Sequence, residues 1–288
     1  MCSNEKETII TPEEEWKNAT IANNFIFYKV MRYNPDVCKQ LLEILLEIKI
    51  DHIEMTQEEY VEIDYGKKGI RLDVYASGSD KAFNLEMQAT DTQELPERSR
   101  YYQSALDLDD LNAGTDYKEL KTSYIIFICV PDIFGKGLAK YSFENICLEE
   151  PALKLNDRAY KLFFIAKNYD KLLNEEQKAF MKLVTSNEST SAFADTVSKL
   201  VEDAKRNTQW RKQFMDFKHY MSQSFREGKE EGLQQGIQQG AAEKTMEAAR
   251  SFFANGASVE LIAKSLGMTE EQVREIVKEP VPVKNSAS

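Results

Sequence analysis

The chain is poor in the residues that much enzymatic chemistry depends on. It has two histidines, His52 and His219, in 288 residues. A histidine-based zinc site and a triad with a histidine base therefore lack their material. Its four cysteines, Cys2, Cys38, Cys129 and Cys147, are widely spaced and form no CxxC pair. That removes the usual thiolate metal sites and leads one to expect a reducing, cytoplasmic compartment. Twelve glycines and seven prolines are too few for a fibrous or disordered chain. The longest dense apolar run, Tyr124 to Val130, falls far short of the roughly twenty residues a spanning helix needs, so no membrane partner is expected. The acidic, polar start MCSNEKETIITPEEEWKN does not read as a secretory signal. Positive charge is short as well. Lys+Arg number 37 against 48 Asp+Glu, a net charge of -11, which excludes a protein that coats nucleic acid through bulk charge.

What remains is the balance of a globular protein, 42% hydrophobic and 30% charged. Residues 1–20 read as a loosely ordered acidic lead-in. From Ile21 to Ile50 the apolar residues fall at helical spacing, with Leu41, Leu42, Leu45, Leu46 and Ile48 on one face. The pattern then changes to alternation at Val61, Ile63 and Tyr65. GIRLDVYA (69–76) and AFNLEMQ (82–88), separated by SGSDK, predict a β-hairpin. Residues 94–112 are helical again. TSYIIFICV (122–130) is a β-branched and aromatic run of the kind found in strands buried on both faces. Strand-like pieces follow at 141–148 and 160–166, then helix from Leu172 to about Phe225. This order predicts an α/β core, a mixed sheet flanked by helices, over residues 21–225.

Residues 226–242 carry Gly228, Gly232, Gly236 and Gly240 at four-residue spacing. Each glycine inside a helix costs about 1 kcal/mol relative to alanine. The segment is either a hinge or a seam where two helices approach closely, which makes a homodimer an expected partner state. The tail, 243–279, divides into short helices. Met246–Ala254 ends at Asn255-Gly256, Ser258 can cap VELIAKSL, and Thr269 with Gln272 fits a capping box. Leu261, Ile262, Leu266, Val273 and Ile276 should point inward. The unit resembles a helix-turn-helix, and a bundle serving only association gives the same pattern. Residues 280–288 read as a disordered end.

The hairpin carries the candidate chemistry. Asp73 lies on its first strand and Glu86 and Gln88 on its second, two apart and so on one face. Across the hairpin Asp73 can stand near Glu86. Two carboxylates held together repel unless a cation neutralises them, and hard oxygen ligands suit Mg²⁺ or Mn²⁺.

The spacing of Asp73 and the Glu86-Met87-Gln88 triplet resembles the D-(x)n-(D/E)xK site of the PD-(D/E)XK nuclease superfamily. The surrounding phrases GIRLDVYASGSDKAFNLEMQ, RSRYYQSALD, YKELKTSYIIFIC and PDIFGKGLAKYSFENICLEE resemble the Rpn family of recombination-promoting nucleases and transposases. The resemblance runs from about Asn24 to Gln177 and more loosely through the tail. It implies a restriction-endonuclease-like fold and a Mg²⁺-dependent endonuclease acting on double-stranded DNA, associated with recombination or mobile elements. Asp73 and Glu86 would be metal ligands, with the backbone carbonyl of Met87 completing the protein's share. Gln88 stands where the superfamily usually has lysine, although the Rpn family commonly shows this glutamine. A neutral amide orients water by hydrogen bonds but lends no charge. Glu43, on the first amphipathic helix, is a candidate further acid, and Glu47, one turn on, is its alternative. Arg71, Arg98, Arg100, Gln103 and Lys29 are candidate phosphate contacts. A degenerate nuclease fold serving as a DNA-binding, protein-interaction or antiphage module is the competing reading, and an RNA substrate stays open.

The acidity is unevenly spread. Residues 1–66 hold fourteen acids and six bases, net -8, whereas 67–100 balance at six of each and 205–229 are net +5. Lys67, Lys68, Arg71, Arg98 and Arg100 gather around the hairpin. The expectation is weak, salt-sensitive duplex binding in a metal-assisted groove.

Overall fold

A computed structural model of the chain describes residues 10–55, 74–78, 80–111 and 113–278. The alternation at Val61, Ile63 and Tyr65, hairpin residues 69–73 and the end 280–288 lie outside the described residues. Two compact units divide between Met215 and Asp216.

The first unit opens with helix α1 (Pro12–Asn18), so the acidic lead-in is ordered from Pro12. Thr11 accepts from the Glu14 amide while Glu14 accepts from the Thr11 amide, a full capping box. Trp16 anchors it: its indole N–H donates to the Lys205 carbonyl at 3.2 Å and its ring packs against Phe25 and Phe214. Helices α2 (Asn24–Tyr33) and α3 (Pro35–Leu46) follow. Then come β1 (Glu54–Met55), β2 (Val74–Ser77), β3 (Lys81–Gln88), α4 (Leu95–Asp110), β4 (Thr122–Cys129), β5 (Lys140–Phe143) and β6 (Ala159–Ile165). Helices α5 (Glu175–Ser186) and α6 (Ala192–Arg206) complete the core, and α7 (Thr208–Ala254) contains the division between the units.

The six strands form one mixed sheet in the order β1-β2-β3-β4-β6-β5. The pairs β3–β4 and β4–β6 are parallel and the others antiparallel. The expected hairpin is β2–β3, with Val74 opposite Leu85 and Ser77 opposite Ala82. Its turn needs glycine at 78, because a Cβ there would stand 2.9 Å from the His52 carbonyl oxygen. As its apolar run predicts, β4 is buried on both faces from Ile125 to Cys129. Phe83, Leu85, Met87, Ile126, Ile128 and Phe164 pack with α2, α3, α5 and α6. The alternate residues Ala82, Ile125, Phe127, Cys129, Phe163 and Ile165 pack with Leu95, Tyr102, Ala105 and Leu106 of α4. Helix α4 is the crossover from β3 to its parallel neighbour β4 and covers this second face. The fold is thus the α/β arrangement the sequence implies.

In the second unit α7 runs unbroken to Ala254. The segment 226–242 is therefore helical, and Met246–Ala254 is the end of this long helix rather than a separate piece. Helices α8 (Val259–Leu266) and α9 (Glu270–Lys278) pack on its end around Ala249, Ile262, Ala263 and Val273. Ser258 caps α8, and Thr269 and Gln272 exchange the expected capping-box bonds. Leu261 is not inward: it is 56% exposed. Ile262 and Ala263 take the buried arc of this two-turn helix, which leaves Leu261 on its rim. No helix among the described residues is long and apolar enough to cross a membrane.

Candidate active site

Eight polar or charged side chains are buried among the described residues. Six of them, Asn84, Glu86, Gln88, Ser99, Gln103 and Ser123, belong to α4 or to the face of β3 and β4 beneath it. Burying polar groups is costly unless they are bonded or used, so this layer is where a function would concentrate. Strand alternation produces it: positions 82, 84, 86 and 88 of β3 share the face toward α4.

Glu86 is 1% exposed and Gln88 5%. Arg98, in the first turn of α4, reaches down to both. Its Nη2 donates to Glu86 Oε2 at 3.1 Å and its Nη1 to Gln88 Oε1 at 3.2 Å. The Gln88 amide also donates to Glu86 Oε2, at 3.5 Å. Tyr102, one turn along α4, accepts from Arg98 Nη2 at 2.9 Å and Nε at 3.3 Å. The guanidinium lies over the Tyr102 and Phe127 rings, 5.3 and 5.8 Å from their centroids. Arginine's planar fork allows one cation to bond three side chains and lie over two rings at once. The layer also holds Asn84, fully buried, whose amide nitrogen and oxygen both lack a hydrogen-bond partner.

Other sequence candidates are placed elsewhere. Gln103 donates to Ser123 Oγ and, at 3.1 Å, to Asp107, joining α4 to β4. Arg100 sits two residues past Arg98, exposed at the helix surface. Lys29, 5% exposed, lies on α2, which packs on the opposite face of the sheet. Its ammonium stands 5.1–5.9 Å from the ring centroids of Tyr28, Phe25, Tyr33 and Trp210. Glu43 is on α3, in that same opposite layer. Its carboxylate accepts from the Ile50 amide at 2.9 Å, which holds it below the usual glutamate range despite some burial, with Lys39 at 3.5 Å adding to the effect. Glu47 closes α3 in the left-handed conformation and accepts from Asn174 at 3.0 Å. The Met87 side chain is fully buried in the opposite core. Asp73 and Arg71 lie outside the described residues.

Among the described residues no three acids, histidines or cysteines converge on one point. Glu86 supplies a buried hard-oxygen donor of the kind Mg²⁺ or Mn²⁺ takes. The residues therefore fit a hard divalent cation in donor type, with Asp73 as the second acid that the sequence offers. Asn84 escaped the sequence reading, although its two-residue offset from Glu86 put it on the same face. Tyr102 stacks on Phe127 and at the same time accepts the Arg98 bonds.

A family model described as PD-(D/E)XK nuclease family transposase matches residues 23–182. The chain belongs to this family. The match begins just before α2 and ends within α5, so it takes in the whole sheet and the Glu86–Gln88–Arg98 cluster. No curated protein and no solved structure matches the chain. PD-(D/E)XK membership makes this a protein of the nuclease and transposase lineage, related to mobile elements. Nucleases of the superfamily generally use divalent metals such as Mg²⁺.

Proposed function

We propose that the chain is a Mg²⁺- or Mn²⁺-dependent DNA endonuclease that hydrolyses phosphodiester bonds. The observation that carries the reading is Glu86, a carboxylate 1% exposed, sharing one sheet face with Gln88 and one guanidinium, Arg98. Asp73, Glu86 and the backbone carbonyl of Met87 would hold the ion. When bound, such an ion polarises the phosphate and makes water a better nucleophile. Gln88, with an amide that both donates and accepts, orients the attacking water without supplying charge. Arg98 carries the positive charge that a phosphoryl group needs as it gains negative charge, and Tyr102 holds that guanidinium in place. The polar layer under α4 limits water access and strengthens these interactions. The test is supercoiled plasmid incubated with Mg²⁺ or with EDTA, for the wild type, Glu86→Gln and Asp73→Asn. Mg²⁺-dependent nicking by the wild type and none by either variant is expected. Undiminished cutting by Glu86→Gln sinks the proposal.

A second reading is favoured by one specific observation. Arg98 already contacts both Glu86 and Gln88, and a guanidinium fixed on the site's acid can replace a metal as its neutraliser. In that case the fold acts as a DNA-binding or interaction module. Calorimetric titration with Mn²⁺ separates the two, since binding that vanishes in Glu86→Gln belongs only to the first.

The glycine-spaced stretch of α7 supports a homodimer that addresses both strands of a duplex. A Cβ built at Gly228, Gly232, Gly236 or Gly240 would meet nothing within 4 Å. No contact within the described chain therefore demands glycine there, and close approach by a second copy is the role proposed for it. Gly232→Leu with Gly236→Leu should convert a dimer to monomer by light scattering, with the helical signal kept. The three described cysteines, Cys38, Cys129 and Cys147, are all free, in keeping with a cytoplasmic setting.

A further inference from the structure

On the same sheet face as Glu86, a recess opens beside the start of α4. The register runs from Glu86 to Phe127 and from Phe127 to Phe163. Two strand spacings, about 10 Å, therefore separate Glu86 from the recess wall. The recess encloses about 510 Å³, within the range of small-molecule sites. Phe163, 2% exposed, is part of its lining. Phe134 and Phe143 stand edge-on to that ring, with centroids 5.1 and 5.7 Å away and planes at 87° and 88°. Phe143 is 45% exposed, so an aromatic surface is presented to whatever enters.

Two cations line the same space, Arg100 from α4 and Lys161 from β6. Neither side chain has a hydrogen bond or ion pair among the described residues. The acid at the rim, Glu144, is already paired with Lys154 at 2.6 Å. Lys161 feels the charge of Asp107 only at longer range. In a chain with eleven more acids than bases, two cations without a hydrogen bond or ion pair over a phenylalanine cluster mark a ligand with both an anionic and a flat aromatic part. A simple anion needs no rings, and an apolar ligand needs no cations. A nucleotide has both. In a fully paired duplex the base faces are stacked inside and cannot reach the rings.

We propose that this recess binds the base of one unpaired deoxynucleotide, stacked on Phe143, with Arg100 and Lys161 on its phosphates. It gives the enzyme a preference for gapped, flapped or single-stranded DNA next to the cut. That last clause rests on the nuclease reading; the binding does not.

The experiment uses the full chain in EDTA and fluorescence anisotropy with three labelled probes: a single strand, a fully paired duplex, and the same duplex with a two-nucleotide gap. The single strand and the gapped duplex should bind more tightly than the paired one. Phe143→Ala should weaken the first two by roughly 5- to 150-fold, the range of one lost base–aromatic stack, and Phe143→Trp should restore them. Arg100→Ala with Lys161→Ala should lower the single-strand salt slope by about 1.4. Equal affinity for all three probes, or Phe143→Ala binding like the wild type, overturns the proposal. So does free deoxynucleoside monophosphate competing as well as the oligomer, which would make the recess a mononucleotide site. The two readings fail separately. Absent cleavage with Phe143-dependent binding refutes only the nuclease, and cleavage with Phe143-independent binding refutes only the recess.

Discussion

Replacing Arg98 by methionine isolates what the guanidinium does for the site. Methionine keeps much of the stem's apolar volume and removes the charge. It deletes the bonds to Glu86 at 3.1 Å, to Gln88 at 3.2 Å and to Tyr102 at 2.9 Å. Glu86 is left with its carboxylate 1% exposed and one fewer compensating charge. Breaking a buried ion pair from one side costs about 3–5 kcal/mol. The Arg98 side chain is 23% exposed, so solvent already shares the screening and the lower end, about 3 kcal/mol, applies. For a unit of this size that is a fall in Tm of roughly 6–12 °C. Urea and thermal melts of wild type, Arg98→Met, Glu86→Gln and the double variant complete a cycle. The double variant should recover about 2 kcal/mol relative to Arg98→Met, because the carboxylate left behind is gone. A loss below about 1 kcal/mol in Arg98→Met would refute the reasoning that the metal-free fold depends on Arg98 to balance the buried Glu86 carboxylate. A double variant no more stable than the single one would do the same.

Three further outcomes follow from particular side chains. Asn84→Leu removes two buried amide atoms that have no hydrogen-bond partner and should raise stability by about 1–3 kcal/mol in a urea melt; a drop would mean that the amide is bonded in solution. Burial pushes the Cys38 and Cys129 thiols up to about 12. In a Cys2→Ser background a disulfide reagent at pH 8 should therefore modify Cys147 quickly, reaching the other two only on unfolding; more than one fast thiol contradicts this. Burial alone would raise the Asp132 carboxyl, but bonds from the Gly137, Phe134 and Gly135 amides and the Tyr141 hydroxyl outweigh it and set it below the ordinary 3.8. The wild type's stability advantage over Asp132→Asn should be full above that ordinary value and vanish as pH falls through the lower folded-state one. Midpoints measured from pH 7 to 2.5 that diverge on acidification would contradict this.

Local patterns carried much of this architecture. The hairpin was legible because alternation and a turn phrase lie within twenty residues, and β4 because both of its faces are apolar. The caps at Ser258 and Thr269 follow from chemistry spanning three residues. Glu86 and Gln88 share a face by parity alone. Other features depend on partners distant in sequence. Lys29 shares α2 with Arg32 and looks in sequence like any helix cation, and only the arrival of Trp210 about 180 residues later completes its ring of aromatics. Gln103 finds Ser123 only because β4, twenty residues on, is laid beside α4. Helix α4 sets buried Ser99 and Gln103 among the apolar Leu95, Tyr102, Ala105 and Leu106 of its inner face, which blurs the stripe that marks a buried helix. The insertion of β6 between β4 and β5 leaves no mark in any one strand.

The glycines of α7 have a consequence for how the molecule can be watched. Gly228, Gly232, Gly236 and Gly240 sit in one helix with open space where side chains would be. Together they forgo about 4 kcal/mol of helix propensity relative to alanine. The amides between 228 and 240 should therefore exchange with deuterium sooner than those in α5 or β4, and limited proteolysis should begin there. Pairing of two chains along the stretch would slow both processes, and more so at higher protein concentration. Exchange in this one segment then becomes a built-in gauge of how many copies have met.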